Sequence, residues 1–320
     1  MRRGNALAVW GLHLAVVALL FALQFVLPDY HHLMLARVMV MAVFAMGYNL
    51  LFGYVGLLSL GHAMFFAAGL YGAGLTVEHL GFGVAAGFLA GLAAGAVLAL
   101  VVGALALRTS GVAFMIVTMM FSQVFYLSTL YFAAWTQGDE GFVLPQPVRQ
   151  LSIGDLHFDL TQPTTRYMAA LSLFSAALAV TLLVVRSAHG RVLVAIRENE
   201  ERTRMLGYDA FANKLAAVVL SGAISAAAGA AYALLFGYVG STFASVQYSI
   251  FPLLWVLLGG AATTLGPLVG TLLMTYVIDL AGSFTSATLF LVGLVLILLV
   301  LFFPKGLLGA LRQRALRWLP

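Results

Sequence analysis

The sequence predicts an all-α, polytopic membrane protein of about 8–10 transmembrane helices, some of them broken or re-entrant. Three observations carry this. Hydrophobic residues make up 63% of the 320 positions and charged residues only 8%, where a soluble domain has roughly a quarter charged. The apolar residues fall into stretches near the roughly 20 residues that cross about 30 Å of hydrocarbon. Nearly a third of the few charges crowd into one segment, 195 to 214.

The first stretch, 6 to 27, has no charge and follows Arg2 and Arg3. It is too long for the apolar core of a signal peptide and ends in Pro28 and Asp29, so it reads as a retained first helix. Further apolar stretches lie at 33–52, 62–77, 84–107, 111–135, 167–185, 215–237, 250–281 and 285–303. With a cytoplasmic N terminus, strict alternation puts Arg108, the segment 186–214 and the tail (Lys305, Arg312, Arg314, Arg317) inside, provided 250–281 makes an even number of crossings. Thirteen of the 16 basic residues then face the cytoplasm, as the positive-inside rule requires. The net charge of +5 thus reflects orientation in a lipid bilayer, and no nucleic-acid partner is expected. The polar interruption 136–166, with Asp139, Glu140, Asp155 and Asp159, falls outside as a solvated or partner-facing loop.

Two apolar segments, one in each half, are poor material for an unbroken helix: "GYNLLFGYVGLLSLGH" from Gly47 and "LLGGAATTLGPLVG" from Leu257. Discontinuous helices of this kind surround substrate routes near the bilayer midplane. The candidate pathway residues are therefore Asn49, Ser59, Gly61 and His62 in the first segment, and Gly259, Gly260, Thr263, Thr264, Gly266 and Pro267 in the second. The alternative is that these glycines only let helices approach closely. Close packing is the expectation for Gly83, Gly87, Gly91 and Gly95, and for Ser221, Ser225 and Gly229, to which no chemistry is assigned. Arg37 is expected to snorkel to the outer surface, and Asp279 to reach the interface or to gate.

Enzymatic chemistry finds no support. Cysteine is absent and no G-x-x-x-x-G-K-[ST] phosphate loop occurs. No histidine pairs with another, or with a carboxylate, at helical spacing inside a span. Catalytic residues, cofactors and metals are not predicted, and ATP hydrolysis is not expected in this chain.

In "AIRENEERTRMLGYD", Glu198 with Arg202 and Glu200 with Arg204 stand four apart, acid first, the favourable order for helix pairs. Gly207 follows where a left-handed cap is wanted. The segment predicts a short, charge-dense helix between two spans, including Arg197 and Glu201. Glu201 and Gly207 are separated like the Glu and Gly of the E-A-A-x-x-x-G coupling signature of ABC importer permeases, with Arg202 and Thr203 in place of the alanines.

Four stretches, Asn49 to Gly74, Ala195 to Ala233, Leu257 to Leu273 and Leu299 to Gly309, resemble in this order the permeases of branched-chain amino acid ABC importers of the LivM type. "WTQGDEGF" from Trp135 is similar to that family's external loop. The resemblance implies an ABC importer permease fold: one transmembrane permease domain over 1–320, an external loop at 136–166, a cytoplasmic coupling segment at 187–213 and a cytoplasmic basic tail at 305–320. It also implies a second homologous permease, two cytoplasmic ABC ATPase subunits, a periplasmic substrate-binding protein and a bacterial inner membrane, with both termini cytoplasmic. Branched-chain amino acids are the implied cargo, with urea or short amides as the alternative. A secondary transporter or channel would share the spans but has no need of the charged helix.

Overall fold

The computed structural model describes residues 3–153, 156–284 and 305–314, with positions 290, 293–294, 297 and 301–302. Arg2, Asp155, Arg317, the end of the basic tail at 315–320 and most of the expected last span at 285–303 lie outside the described residues.

The helices are α1 (Arg3–Leu23), α2 (Asp29–Asn49), α3 (Ala63–Leu80), α4 (Val84–Ala106), α5 (Val112–Tyr131), α6 (Ala133–Thr136), α7 (Pro163–Arg186), α8 (Ala188–Glu198), α9 (Glu200–Met205), α10 (Ala210–Phe236), α11 (Val246–Gly259), α12 (Gly266–Phe284) and α13 (Leu307–Arg314). Among the described residues, five segments are long and apolar enough to cross a membrane: Asp29–Val55 and the helices α4, α5, α7 and α10. The fold is an all-α polytopic membrane protein.

Burial divides the spans. In α2 and its continuation 94% of the apolar window is inside the protein, against 28% for α4 and 22% for α5. The hub α2 packs on α7, α10, α11 and α12, and its middle, from Leu35 to Asn49, is buried almost without a break. Around it α3, α4 and α10 pack closely through residues too small to hold the backbones apart. A Cβ at Gly229 of α10 would collide with the Phe66 carbonyl of α3, and one at Gly91 of α4 with the Gly69 carbonyl. Of the glycine stripe on α4, residues 87, 91 and 95 face neighbours as expected, whereas Gly83 does not: it precedes the helix as its N-cap, with open space around it.

Both glycine-rich segments are broken. At Leu50–Val55 α2 widens into a π-helical turn, which Gly56 ends at φ 81°. The second segment is a hairpin. A Cβ on Gly259 of α11 would meet the Gly270 amide of α12 at 2.9 Å, so the two helices run side by side and the chain reverses at 260–265. With 14 residues, α11 is about 21 Å long, short of a full crossing. It follows a 3-10 turn at Ser241–Ala244 whose Ala244 carbonyl accepts a hydrogen bond from Ser122, midway along α5, at 3.3 Å. The return helix α12 brings Asp279 to the start of α2, where Tyr30 donates to it at 2.7 Å. Asp279 is thus an exposed carboxylate paired with a tyrosine.

The loop 136–166 is not a plain solvated loop. The strands β1 (Phe142–Val143) and β4 (Tyr238–Val239) pair antiparallel, as do β2 (Gln150–Ile153) and β3 (Leu156–Asp159). The first pair fastens the loop to the connection after α10, helped by Ser241 donating to Asp139 at 3.0 Å. Three arginines at this end converge on the last turn of α10. Arg149 donates to the carbonyls of Leu234 and Leu235, while Arg37 and Arg166 lie 5.6 and 5.7 Å from the centre of the Phe236 ring. Cations at a helix C terminus meet unpaired carbonyls and the negative end of the dipole, which gives Arg37 a structural place beside Phe236.

Candidate functional site

The two broken segments meet. From the last turn of α2, the Asn49 carboxamide donates to the Thr263 carbonyl at 2.9 Å and accepts from the Ala262 amide at 3.0 Å. Gly53 makes room for this: a Cβ there would lie 2.6 Å from the Ala262 nitrogen. Ala262 itself has φ 57°, the left-handed region, which costs a non-glycine residue about 1–2 kcal/mol. Both its polar backbone groups are tied, the amide by Asn49 and the carbonyl by Arg312 of α13 at 3.1 Å. Strain of this kind persists only where the surroundings over-determine it. Around the same turn His13 of α1 lies 2.6 Å from the Thr264 hydroxyl, and Gly260 is close enough to α13 that a Cβ would be 2.8 Å from the Gly309 amide.

His62 pins the other end of the break. It is wholly buried, with Nε2 at 2.9 Å from Ser225 Oγ and 3.2 Å from Ser221 Oγ. Ser221 donates its proton to the Gly47 carbonyl at 2.5 Å and Ser225 to the Ser221 carbonyl at 2.9 Å. Both serine oxygens are therefore left as acceptors, which places the imidazole proton on Nε2 and leaves Nδ1 as an acceptor without a partner among the described residues. Phe44 stacks on the ring at 6.0 Å, and Tyr48 and Phe65 meet it edge-on at 5.1 and 5.2 Å. Ser221 and Ser225, expected only to pack, are thus partners of His62. Their four-residue spacing showed a common face but not what they would meet. Ser59 serves the local turn, its hydroxyl accepting from the Gly61 amide at 3.2 Å and its carbonyl from Tyr48 at 3.1 Å.

All ten expected pathway positions are buried. Asn49, Thr263 and Thr264 are 1% exposed or less. In this conformation they form a closed joint.

The charged segment lies against that joint. Arg197, near the end of α8, donates to the Gly53 carbonyl in the π-helical turn, and its stem covers Gly56, where a Cβ would lie 2.8 Å from it. The expected single helix is two. Asn199 leaves the helix at φ −162° and ψ 102° and caps α9, its carboxamide oxygen accepting from the Arg202 amide at 2.8 Å. This cap places Glu198 and Arg202 in different helices, and no ion pair joins them among the described residues. The other expected pair forms: Arg204 meets Glu200 at 2.6 Å, and Lys214 of α10 joins them at 2.8 Å. Gly207 is left-handed as expected, with φ 90°. Glu201 is exposed on α9. Beyond it stand Met205 and Leu206, 84% and 71% exposed, apolar side chains that the charge pattern did not single out.

A family model described as the permease component of the branched-chain amino acid transport system matches residues 31–302. The chain belongs to that family. The permease is 28% identical to the high-affinity branched-chain amino acid transport system permease protein LivM of Escherichia coli strain K12, over 86% of this chain and 69% of that one. It is 27% identical, over the same shares, to the protein of the same description from Salmonella typhimurium strain LT2. It is also 31% identical to a probable branched-chain amino acid transport permease protein LivM of Methanocaldococcus jannaschii, over 37% of this chain and 39% of that one. No solved structure matches it. The broken segments and the charged segment at 187–213 lie within the span of residues that the family model covers, whereas His13, Gly309 and Arg312, which flank the joint, lie outside it.

Proposed function

We propose that the permease is a transmembrane subunit of an ATP-driven importer for branched-chain amino acids or a related small solute. ATP is hydrolysed by two separate cytoplasmic ABC subunits, a periplasmic binding protein delivers the solute, and a second homologous permease completes the membrane unit. The assembly resides in a bacterial inner membrane, with both termini and the segment 187–213 cytoplasmic. The observation that carries the reading is the hydrogen bond from Arg197 to the Gly53 carbonyl. It joins a surface helix to a broken span, a contact that neither a channel nor a plain juxtamembrane helix needs.

In this reading Glu198, Glu200, Glu201, Arg204 and Gly207 shape the surface that docks on an ATPase subunit, and exposed Met205 and Leu206 supply its apolar centre. Closure of the ATPases shifts α8 and α9 as a body. Arg197 passes the shift to the π-helical turn, and Asn49 passes it to the turn at 260–265. When that joint separates, the polar groups it frees, on Asn49, Thr263 and Thr264, face a route through an otherwise apolar interior. They suit a small zwitterion or neutral solute, assisted by the helix ends beside them.

The test is uptake by reconstituted vesicles that contain the complete assembly, hold ATP inside and carry the binding protein outside, with leucine, isoleucine and valine as cargo and urea and acetamide as competitors. ATP-dependent uptake of a branched-chain amino acid is expected. Uptake by this chain alone would put a secondary transporter first. Because cysteine is absent, Arg314→Cys can report topology without background: it should escape an impermeant thiol reagent in intact cells and react once they are opened.

A further inference from the structure

Past the last apolar stretch the chain reads "GLLGALRQR" from Gly306. The helix it forms, α13, has eight residues and is about 12 Å long. A helix this short is marginal by itself, so it depends on the surface that carries it. That surface is the hairpin of α11 and α12, where Leu308 packs on the core. The contact falls at the reversal of the hairpin. Gly306 is buried at φ 72°, and a Cβ there would lie 2.5 Å from the Gly260 nitrogen and from the Leu257 carbonyl. One glycine backbone therefore lies directly on another.

Six residues on, Arg312 donates to the Ala262 carbonyl at 3.1 Å. Two arginines thus hold the two broken segments, each by a backbone carbonyl: Arg197 at Gly53 and Arg312 at Ala262. Asn49 ties the same segments together between them. Neither arginine has an ion pair among the described residues. Arg312 is only half-buried, so on leaving the carbonyl its guanidinium returns to water, and the contact is reversible. The left-handed Ala262 beneath it is strained and needs support from outside its own turn. Asn49 gives that support at the amide and Arg312 at the carbonyl.

We infer that α13 is a latch on the turn at 260–265, with Arg312 as its positioning residue, and that it must leave the turn before the joint opens. The inference rests on the importer reading given above. In the resting transporter α13 keeps the strained turn closed, and the pull that reaches the joint through Arg197 works against this hold.

The experiment uses the complete transporter in two arms. In the first, Ala262→Cys and Arg312→Cys are combined in a chain that has no cysteine of its own and joined by a short bis-methanethiosulfonate, with the wild-type assembly treated alike. Cross-linking should abolish ATP-driven leucine uptake, and a reductant should restore it. A brace that never moves would leave uptake unchanged, which overturns the latch. In the second arm, vesicles are preloaded with radiolabelled leucine and given no ATP. Arg312→Ala should raise the leak about tenfold, the scale of one charge-assisted hydrogen bond, and Gly306→Ala should raise it by pushing α13 off Gly260. Arg312→Lys, which keeps a donor, should stay near the wild type. A lowered thermal midpoint without added leak in both alanine variants also overturns the latch, and this arm decides alone if the cysteine pair does not assemble. If the wild type takes up leucine with ATP while both arms give the overturning result, the importer reading stands without the latch. If the wild type takes up none, the importer reading fails and the latch with it.

Discussion

Asn49 and Ala262 stand 213 residues apart in the chain, yet the amide of Ala262 donates to the Asn49 carboxamide at 3.0 Å. This contact holds a left-handed alanine in place and closes the joint between the two broken segments. Its consequences can be measured residue by residue.

Asn49→Ala removes the acceptor for the Ala262 amide and the donor for the Thr263 carbonyl. Each buried group left unpaired costs about 1–3 kcal/mol. A fall in the thermal midpoint of the purified assembly is expected, together with loss of ATP-driven uptake. Wild-type values for both would mean that the joint is not needed.

Ala262→Gly should act in the opposite direction on stability. Glycine adopts φ 57° without steric penalty, so relief of strain should stabilise the protein by about 1 kcal/mol, less the extra freedom glycine has in the unfolded chain. If the strain helps the joint to open, uptake falls even as the midpoint rises. A lower midpoint would show that Ala262 is not strained.

Arg197→Ala breaks the link from α8 to Gly53 but leaves the α9 surface intact. The assembly should still form and hydrolyse ATP, with fewer solute molecules moved per ATP. Arg197→Lys keeps one charge but not the planar fork, and should recover only part of the coupling. An unchanged ratio of uptake to hydrolysis in Arg197→Ala would remove this residue from the relay.

Gly207→Val forces a β-branched residue to φ 90°, and Glu201→Lys reverses a charge exposed on α9. Both changes lie outside the spans, so membrane insertion should be unaffected. Recovery of the ATPase subunits with the tagged permease should fall in each. Full recovery and wild-type transport in both variants would exclude α9 as the docking helix.

The sequence by itself determined whatever depends on chain neighbours. Runs of apolar residues marked the spans because each must cross the hydrocarbon alone, and clustered glycines marked the breaks at Gly56 and Gly260 because a helix tolerates them poorly. Gly207 was legible for the same local reason. Only the tertiary structure decided which parts meet. That Ser221 and Ser225 hold His62, that Asn49 holds Ala262 and that Arg197 reaches Gly53 are relations between residues far apart in the chain, and periodicity says which face a residue lies on but not what that face touches. Besides Gly83, a second local feature misread, the break at Asn199, turned on a choice between two good conformations. An asparagine there can continue a helix weakly or cap the next one, and it caps because α8 lies against the π-helical turn while Lys214 of α10 pairs with Glu200 of α9.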